Sequence, residues 1–255
     1  MKLRQLIPNF CTTLSLIAGV LAIIVTLDGR FALAAQLIMA AMILDGIDGN
    51  LARLLRTASD FGSEMDTFVD LTAFGLAPAI LFHETALPCE DFWRGFVAIA
   101  IVLSGVLRLS RFKVKNVSHG QHGYCGLPIT VNAGWIAVCV FLCHTERFGP
   151  FSISMGPGGV LFVAGTVAMT ILQVSNVRYP KPTKNFWIFI PCVVLVLFFS
   201  VGLLGLSVPA AVAILVLGLS YLLLGPLVTL RAVRAASRAD AEAPVSPAPA
   251  TGEQS

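Results

Sequence analysis

The chain has 255 residues, of which 56% are hydrophobic and only 12% are charged, and its formal net charge is +3. Soluble domains usually carry about 25% charged residues. The composition therefore excludes an ordinary water-soluble domain and predicts an integral membrane protein. The small positive charge gives no indication of nucleic acid as a partner.

Apolar runs long enough to cross a bilayer recur along the chain, at about 8–27, 31–53, 62–84, 93–112, 128–145, 155–175, 186–205 and 209–230. They predict an all-α polytopic membrane protein with about eight transmembrane helices. The first run follows a short basic start but has full spanning length, which favours a retained helix over a signal peptide. Residues rich in Ala, Pro, Ser and Glu follow the last run, so we expect a transmembrane domain over 1–232 and a disordered tail over 233–255.

Basic residues are distributed unevenly between the two sides that these helices define. Fourteen of the seventeen Lys and Arg residues fall at the two termini and in the loops after the second, fourth and sixth helices. Positively charged loops remain in the cytoplasm. We therefore expect both termini on the cytoplasmic side, together with the loop that joins the second and third helices.

Two aspartates stand at the end of the second predicted helix, where the sequence reads Asp45-Gly-Ile-Asp48-Gly49-Asn-Leu-Ala52-Arg53. At about 100° per residue, positions i, i+3, i+4 and i+7 lie on one face of a helix. That face carries two carboxylates beside Gly49 and Ala52. An ionised carboxylate inside a membrane is costly enough to indicate a functional site.

The start of the third predicted helix repeats this pattern, because Gly62, Asp66 and Asp70 follow one another at i, i+4 and i+8. Two helix faces with two carboxylates each can converge on hard divalent cations, which prefer oxygen ligands. The alternative is that the aspartates only cap helices or pair with Arg53 and Arg56 at the membrane surface. Four carboxylates at helical spacing disfavour that alternative.

The third helix also contains Pro78, which predicts a kink, and it carries small residues at Ala73, Gly75 and Ala77 that would let another helix approach closely.

The fourth helix ends in the densest basic cluster of the chain, Leu107-Arg108-Leu-Ser-Arg111-Phe-Lys113-Val-Lys115-Asn116. Arg108 and Arg111 share a helix face at i, i+3, and Arg108 lies within the apolar run. We therefore expect these two arginines to form an anion site inside the protein. We interpret Lys113 and Lys115 as an ordinary positively charged anchor at the membrane surface.

These motifs resemble those of a known family. Read as D-x2-D-G-x2-A-R-x8-G-x3-D-x3-D, residues 45–70 resemble the signature of the CDP-alcohol phosphotransferases, which are integral membrane enzymes of phospholipid synthesis, and all eight fixed positions are filled. Further blocks resemble one branch of that family, the membrane-bound phosphatidylserine synthases of bacteria and archaea. These blocks are Asn9 with Thr12-Thr13, and residues 62–78, 107–112, 126–128 and 174–180.

The resemblance implies that the phosphatidyl group of CDP-diacylglycerol is transferred to the hydroxyl of L-serine, with release of CMP. It implies a homodimer in the prokaryotic cytoplasmic membrane and two divalent cations, Mg²⁺ or Mn²⁺. Asp45, Asp48 and Asp66 are the expected metal ligands, and Asp70 is expected to complete the second metal site. The resemblance also puts Asp70 forward as the general base that takes the serine proton.

Further residues are expected to contact the two substrates. The expected CDP-binding set is Asn9, Gly49, Ala52, Arg53 and Gly62, with the nucleotide against the two glycines and a phosphate on the planar guanidinium of Arg53. For serine, we expect Arg108 or Arg111 to hold the carboxylate and Glu64 to contact the ammonium group.

Two other functions remain open. The first keeps the chemistry and changes the acceptor to glycerol 3-phosphate, an inositol phosphate or choline, and the cluster from Arg108 to Lys115 could supply a phosphate pocket. The second is a cation transporter. A transporter predicts carboxylates near mid-membrane on several helices, whereas these cluster at one end of two neighbouring helices.

Overall fold

The structure is a computed structural model, and it describes residues 3–55, 57, 59–86, 90–116, 124–145, 156–179, 186–201 and 206–242. Its helices are α1 (Leu3–Leu27), α2 (Phe31–Leu55), α3 (Asp60–Asp70), α4 (Ala77–Thr85), α5 (Asp91–Asn116), α6 (Ile129–Cys143), α7 (Pro157–Val174), α8 (Phe186–Val201) and α9 (Ser207–Glu242). A π-helical turn (Leu71–Leu76) joins α3 to α4 without a break, and two short strands, β1 (Tyr124–Cys125) and β2 (Arg178–Tyr179), lie between helices. The predicted all-α class is confirmed.

A helical segment lies in each of the eight predicted apolar runs when α3, the π turn and α4 are counted as one. Within the described residues, however, six helices are long and apolar enough to cross a membrane, so the membrane class is confirmed and the count of eight spans is not. α6 has 15 residues and α8 has 16. The described parts of these two helices are shorter than the roughly 20 residues that a hydrocarbon core of about 30 Å requires.

The third apolar run changes its winding at the π turn. The N–H of Ala77 donates to the carbonyl of Thr72, five residues earlier, where an α-helix would use the fourth. Pro78 follows directly, in the first turn of α4. In a regular α-helix a proline ring collides with the carbonyl four residues before it, and the wider turn relieves that collision. A π turn therefore stands where the sequence predicts a kink.

Small residues bring α1 against the π turn. A Cβ atom added to Gly19 would lie 2.8 Å from both the Cα and the Cβ atoms of Ala73. On the same helix, the Ser15 hydroxyl donates to the Ala41 carbonyl of α2 at 3.0 Å. Because α1 contacts both of its neighbours so closely, it fixes the spacing between the two helices that carry the aspartates.

The segments before α6 and after α7 pair with each other. β1 and β2 form a short antiparallel ladder with Tyr124 opposite Tyr179, which the sequence pattern does not predict. Gly126 follows with φ of +82°, and a Cβ atom there would collide with the Gln173 carbonyl oxygen. Only glycine accepts both conditions. Tyr179 is buried and stacks on Tyr221, and this burial raises the pKa of the Tyr179 phenol.

The last helix, α9, continues to Glu242. The boundary predicted between residues 232 and 233 falls inside this helix, and residues 243–255 lie outside the described part of the chain. The domain boundary and the disordered tail therefore stay predictions.

Candidate active site

The candidate site lies where α2 ends and α3 begins. Carboxylate oxygens of Asp45 and Asp48, on α2, and of Asp66, on α3, all lie within 4.8 Å of one another. The spacing of these residues in the sequence therefore does bring two helix faces together. Three carboxylates at this separation offer the oxygen ligands that hard divalent cations prefer.

Asp70, one helical turn after Asp66, joins the same cluster. Its side chain is in hydrogen-bonding contact with Asp45 and interacts electrostatically with Asp66. Asp45 also contacts Asp66 directly, so it lies between the two aspartates of α3. Four acidic groups this close to one another, in a largely apolar surrounding, could hold a cation that balances their charge.

A threonine of α1 contacts the cluster from a third side. The Thr12 hydroxyl donates a hydrogen bond to Asp48 Oδ2 at 2.5 Å, and the two residues are only 5% and 4% exposed. A hydrogen bond of this kind fixes the direction of a metal-binding carboxylate. The sequence assigns Thr12 no role, because the contact joins residues 36 positions apart and no local pattern reports it.

The beginning of α3 brings Gly62 close to α1. Ser59 caps the helix, and its side-chain oxygen accepts a hydrogen bond from the Gly62 N–H at 3.1 Å. A Cβ atom on Gly62 would lie 3.2 Å from both Asn9 Oδ1 and Ser59 Oγ. Asn9 Nδ2 is buried without a hydrogen-bond partner among the described residues. A buried amide donor beside the site is suited to bind a ligand oxygen.

The α2 side of the predicted CDP site is open. Within the described residues, no atom lies within 4 Å of the place that a Cβ atom of Gly49 would occupy, so the described packing does not require glycine at this position. Ala52 is partly buried on the same helix. The side chain of Arg53 lies outside the described part of the structure, and its contact with a phosphate stays a prediction.

Two basic side chains of α5 approach the cluster. Arg108 interacts electrostatically with Asp70, and Lys113 with Asp66. Lys113 also forms an ion pair with Glu64, with 2.5 Å between Nζ and Glu64 Oε2. The interpretation of Lys113 as an ordinary surface anchor was incomplete, because that residue faces the acidic site.

Arg111 makes different contacts from Arg108. Its Nη1 donates to the carbonyl oxygens of Val174 at 2.9 Å and Ser175 at 3.4 Å, and it lies 3.5 Å from Asn176 Oδ1. These groups end α7, so Arg111 ties α5 to the C-terminus of that helix. The two arginines expected to share one anion site therefore contact different partners, and binding of serine by Arg111 stays a prediction.

The part of the chain that contains the site is similar in sequence to known proteins. A profile of the CDP-alcohol phosphatidyltransferase family matches residues 5–172. That range includes every residue that the sequence predicts to bind metal, CDP or serine.

Similar chains carry related names. The CDP-diacylglycerol–serine O-phosphatidyltransferase of Helicobacter pylori is 33% identical over 190 residues, covering 71% of this chain and 75% of the relative. The protein of the same name from Bacillus subtilis is 32% identical over 179 residues, covering 70% and 92%. The archaetidylserine synthase of Methanothermobacter thermautotrophicus is 32% identical over 177 residues, covering 69% and 70%. With two thirds of its length matched and the signature carboxylates converging, this chain belongs to the CDP-alcohol phosphatidyltransferase family.

Proposed function

We propose that this protein is a CDP-diacylglycerol–serine O-phosphatidyltransferase, which converts CDP-diacylglycerol and L-serine into phosphatidylserine and CMP. The observation that carries the proposal is the convergence of Asp45, Asp48, Asp66 and Asp70 from two helices. The acceptor is argued from the relatives, because the three names reported above all specify serine or a serine lipid.

Two divalent cations, Mg²⁺ or Mn²⁺, fit the donor set of this site. Asp45, Asp48 and Asp66 would hold them, with Asp70 completing the second position. When bound, the cations supply positive charge that balances the pyrophosphate of the nucleotide-linked lipid. The Thr12 hydroxyl keeps one Asp48 oxygen in a fixed direction while the nucleotide enters.

The transfer exchanges one phosphorus–oxygen bond for another. The serine hydroxyl oxygen attacks the phosphorus of the phosphatidyl group, and the bond from that phosphorus to the bridging oxygen of CMP breaks. The electron pair of the broken bond leaves with CMP. Asp70 accepts the hydroxyl proton as the new bond forms.

CDP binding is assigned to the open end of α2 and the start of α3. Gly49 leaves free space along the backbone, and Gly62 keeps Asn9 and Ser59 close without crowding. The buried Nδ2 of Asn9 is available to an oxygen of the nucleotide. Ala52 and Arg53 complete the surface, with the guanidinium of Arg53 on a phosphate.

The proposal includes an orientation and an assembly. Both termini and the site face the cytoplasm of a prokaryotic cell, as the charge bias of the loops indicates. The protein acts as a homodimer, as the family resemblance implies.

The decisive experiment compares acceptors. Purified protein in detergent micelles is given CDP-diacylglycerol with Mg²⁺ or Mn²⁺, and CMP release is measured with serine, glycerol 3-phosphate, inositol phosphate or choline. We expect release with serine and formation of phosphatidylserine. CMP release with glycerol 3-phosphate but not with serine would show that glycerol 3-phosphate is the acceptor. No CMP release with any acceptor would favour a cation transporter.

A chelation experiment tests the metal requirement in the same assay. Excess chelator should abolish CMP release, and added Mg²⁺ or Mn²⁺ should restore it. Full activity after exhaustive chelation would contradict the assigned role of the four aspartates.

A further inference from the structure

An ion pair joins α3 and α5 at the edge of the acidic site. Lys113 Nζ lies 2.5 Å from Glu64 Oε2, and the two side chains are 31% and 64% exposed. Ion pairs that are partly exposed to water stabilise a fold only weakly. The Glu64–Lys113 pair is therefore easily exchanged for other partners.

The position of this pair follows from the antiparallel course of the two helices. Asp70 interacts with Arg108, whereas Asp66, one turn earlier on α3, interacts with Lys113, five residues later on α5. Glu64 precedes Asp66 by a further half turn. The pair thus lies toward the beginning of α3, on the side of Asp66 opposite to Asp70.

The other basic groups near the site contact different partners. Arg111 Nη1 donates to the carbonyls that end α7, and Arg108 is placed beside Asp70. Among the side chains that the structure describes, Lys113 forms an ion pair with the exposed acid Glu64 and also interacts electrostatically with the cluster aspartate Asp66. The Lys113 Nζ atom is buried while Glu64 is 64% exposed, so the pair extends from solvent to the reacting groups.

We propose that Glu64 and Lys113 recognise the zwitterionic part of the acceptor. An α-amino acid carries one carboxylate and one ammonium on the same carbon, the same two charges that face each other in the Glu64–Lys113 pair. Binding exchanges partners: the acceptor carboxylate takes Lys113, and its ammonium takes Glu64. The hydroxyl, on the neighbouring carbon, is then directed toward the aspartates of α3. This inference rests on the proposed function and adds to it the basis of acceptor selection.

Kinetics of single variants test the exchange. Lys113→Gln should raise KM for serine by roughly 10- to 100-fold, because a charge-assisted contact is lost, while KM for CDP-diacylglycerol stays within about twofold. Glu64→Gln should do the same through the ammonium. Lys115→Gln removes a positive charge two residues further along and serves as the matched control, with an unchanged KM for serine.

Acceptor analogues show which charged group of serine each residue binds. Ethanolamine lacks the carboxylate, so Lys113→Gln should lower the preference for serine over ethanolamine in kcat/KM without reducing turnover of ethanolamine. Glycerate keeps the carboxylate but lacks the ammonium, so Glu64→Gln should lower the preference for serine over glycerate. Loss of structure would lower all of these rates together.

A charge exchange separates recognition from packing. The double variant Lys113→Glu with Glu64→Lys restores an ion pair between α3 and α5. In this pair the positive charge lies on α3 and the negative charge on α5. Recognition predicts that KM for serine stays high, and a structural role predicts that it recovers. Recovery in the double variant, or an unchanged KM in Lys113→Gln, would overturn the inference while CMP release from wild-type protein with serine left the proposed function standing.

Discussion

Asp48 is held in an apolar setting, at 4% exposure, by a hydroxyl from a different helix. A buried carboxylate whose donors are neutral, here the Thr12 hydroxyl and the Gly49 N–H, is only partly compensated, because such donors offer dipoles where a full positive charge is needed. Asp45 is partly buried and contacts two further carboxylates, which do not compensate its charge. At the scale of single residues, the site is therefore built to receive positive charge.

Asp66→Asn should lower kcat with serine on the order of 10³-fold, since removing a metal ligand forfeits several kcal/mol of charge stabilisation. CMP release measures this. Asp60→Asn is the control, because Asp60 is exposed at the start of the same helix, and its activity should stay within about twofold. Comparable losses in both variants would deny Asp66 a specific role.

Thr12→Val should raise the Mg²⁺ concentration needed for half-maximal activity by roughly 10- to 100-fold, because the Asp48 carboxylate loses the hydrogen bond that directs it. A titration of activity against free Mg²⁺ measures the change. Thr12→Ser retains the hydroxyl and should behave as wild type. A Val variant with an unshifted metal requirement would show that the bond to Asp48 does not support metal binding.

How much of the site the sequence predicts depends on how far apart the interacting residues are along the chain. Asp45 with Asp48, and Asp66 with Asp70, are related by helical periodicity, so their shared faces follow from spacing alone. The contacts of Thr12 with Asp48 and of Lys113 with Glu64 join different helices, and no periodicity within one helix reveals them. Helix spacing and rotation decide such contacts, and both are properties of the packed molecule.

At the scale of elements, α1 is the helix against which the aspartate helices are positioned. Its residue Gly19 meets the backbone of Ala73 in the π turn, and its residue Thr12 reaches Asp48 in α2. A displacement of α1 therefore reaches the site through both contacts.

Gly19→Ala should lower the midpoint of thermal unfolding by several degrees, since overpacking at a tight contact costs about 1–3 kcal/mol. Purified protein in detergent provides the measurement. Gly95→Ala on α5 is the matched control, because no atom lies within 4 Å of the added Cβ and alanine favours helix over glycine. An equal midpoint of thermal unfolding in the Gly19 variant and the wild type would mean that α1 can move away from Ala73 without loss of stability.

Helix positions could be predicted because the length of an apolar run and the residues that interrupt it are local properties of the sequence. Which helices cross the bilayer could not be predicted in the same way. α6 is predominantly buried inside the protein, and an interior helix is as apolar as one that faces lipid. Hydropathy therefore located α6, and that this helix crosses the bilayer stays a prediction.

At the scale of the whole molecule, the family match ends at residue 172, close to the end of α7. The site residues all precede that point, whereas α8 and α9 follow it. The two last helices nevertheless pack against the rest, since Phe199 of α8 contacts Phe141 of α6 with ring centroids 4.6 Å apart. They extend the core beside α2 and α6.

The charge bias of the loops predicts a cytoplasmic C-terminus. Green fluorescent protein fused after Ser255 should therefore fluoresce in a bacterial host, whereas alkaline phosphatase at the same place should remain inactive, because it folds only outside the cytoplasm. Fluorescence and phosphatase activity are measured in parallel on intact cells. Active phosphatase would reverse the predicted orientation and with it the side on which serine is used.

The wide turn at Leu71–Leu76 also matters when this chain is compared with others. A π turn holds one residue more than an α-helical turn, so residues from Ala77 onward are displaced by one position from an uninterrupted helix. A homologue with a regular helix here aligns correctly only if a single-residue gap is opened inside the turn. A gap placed upstream of Asp70 would set its carboxylate against an unrelated position and erase it from the aligned motif.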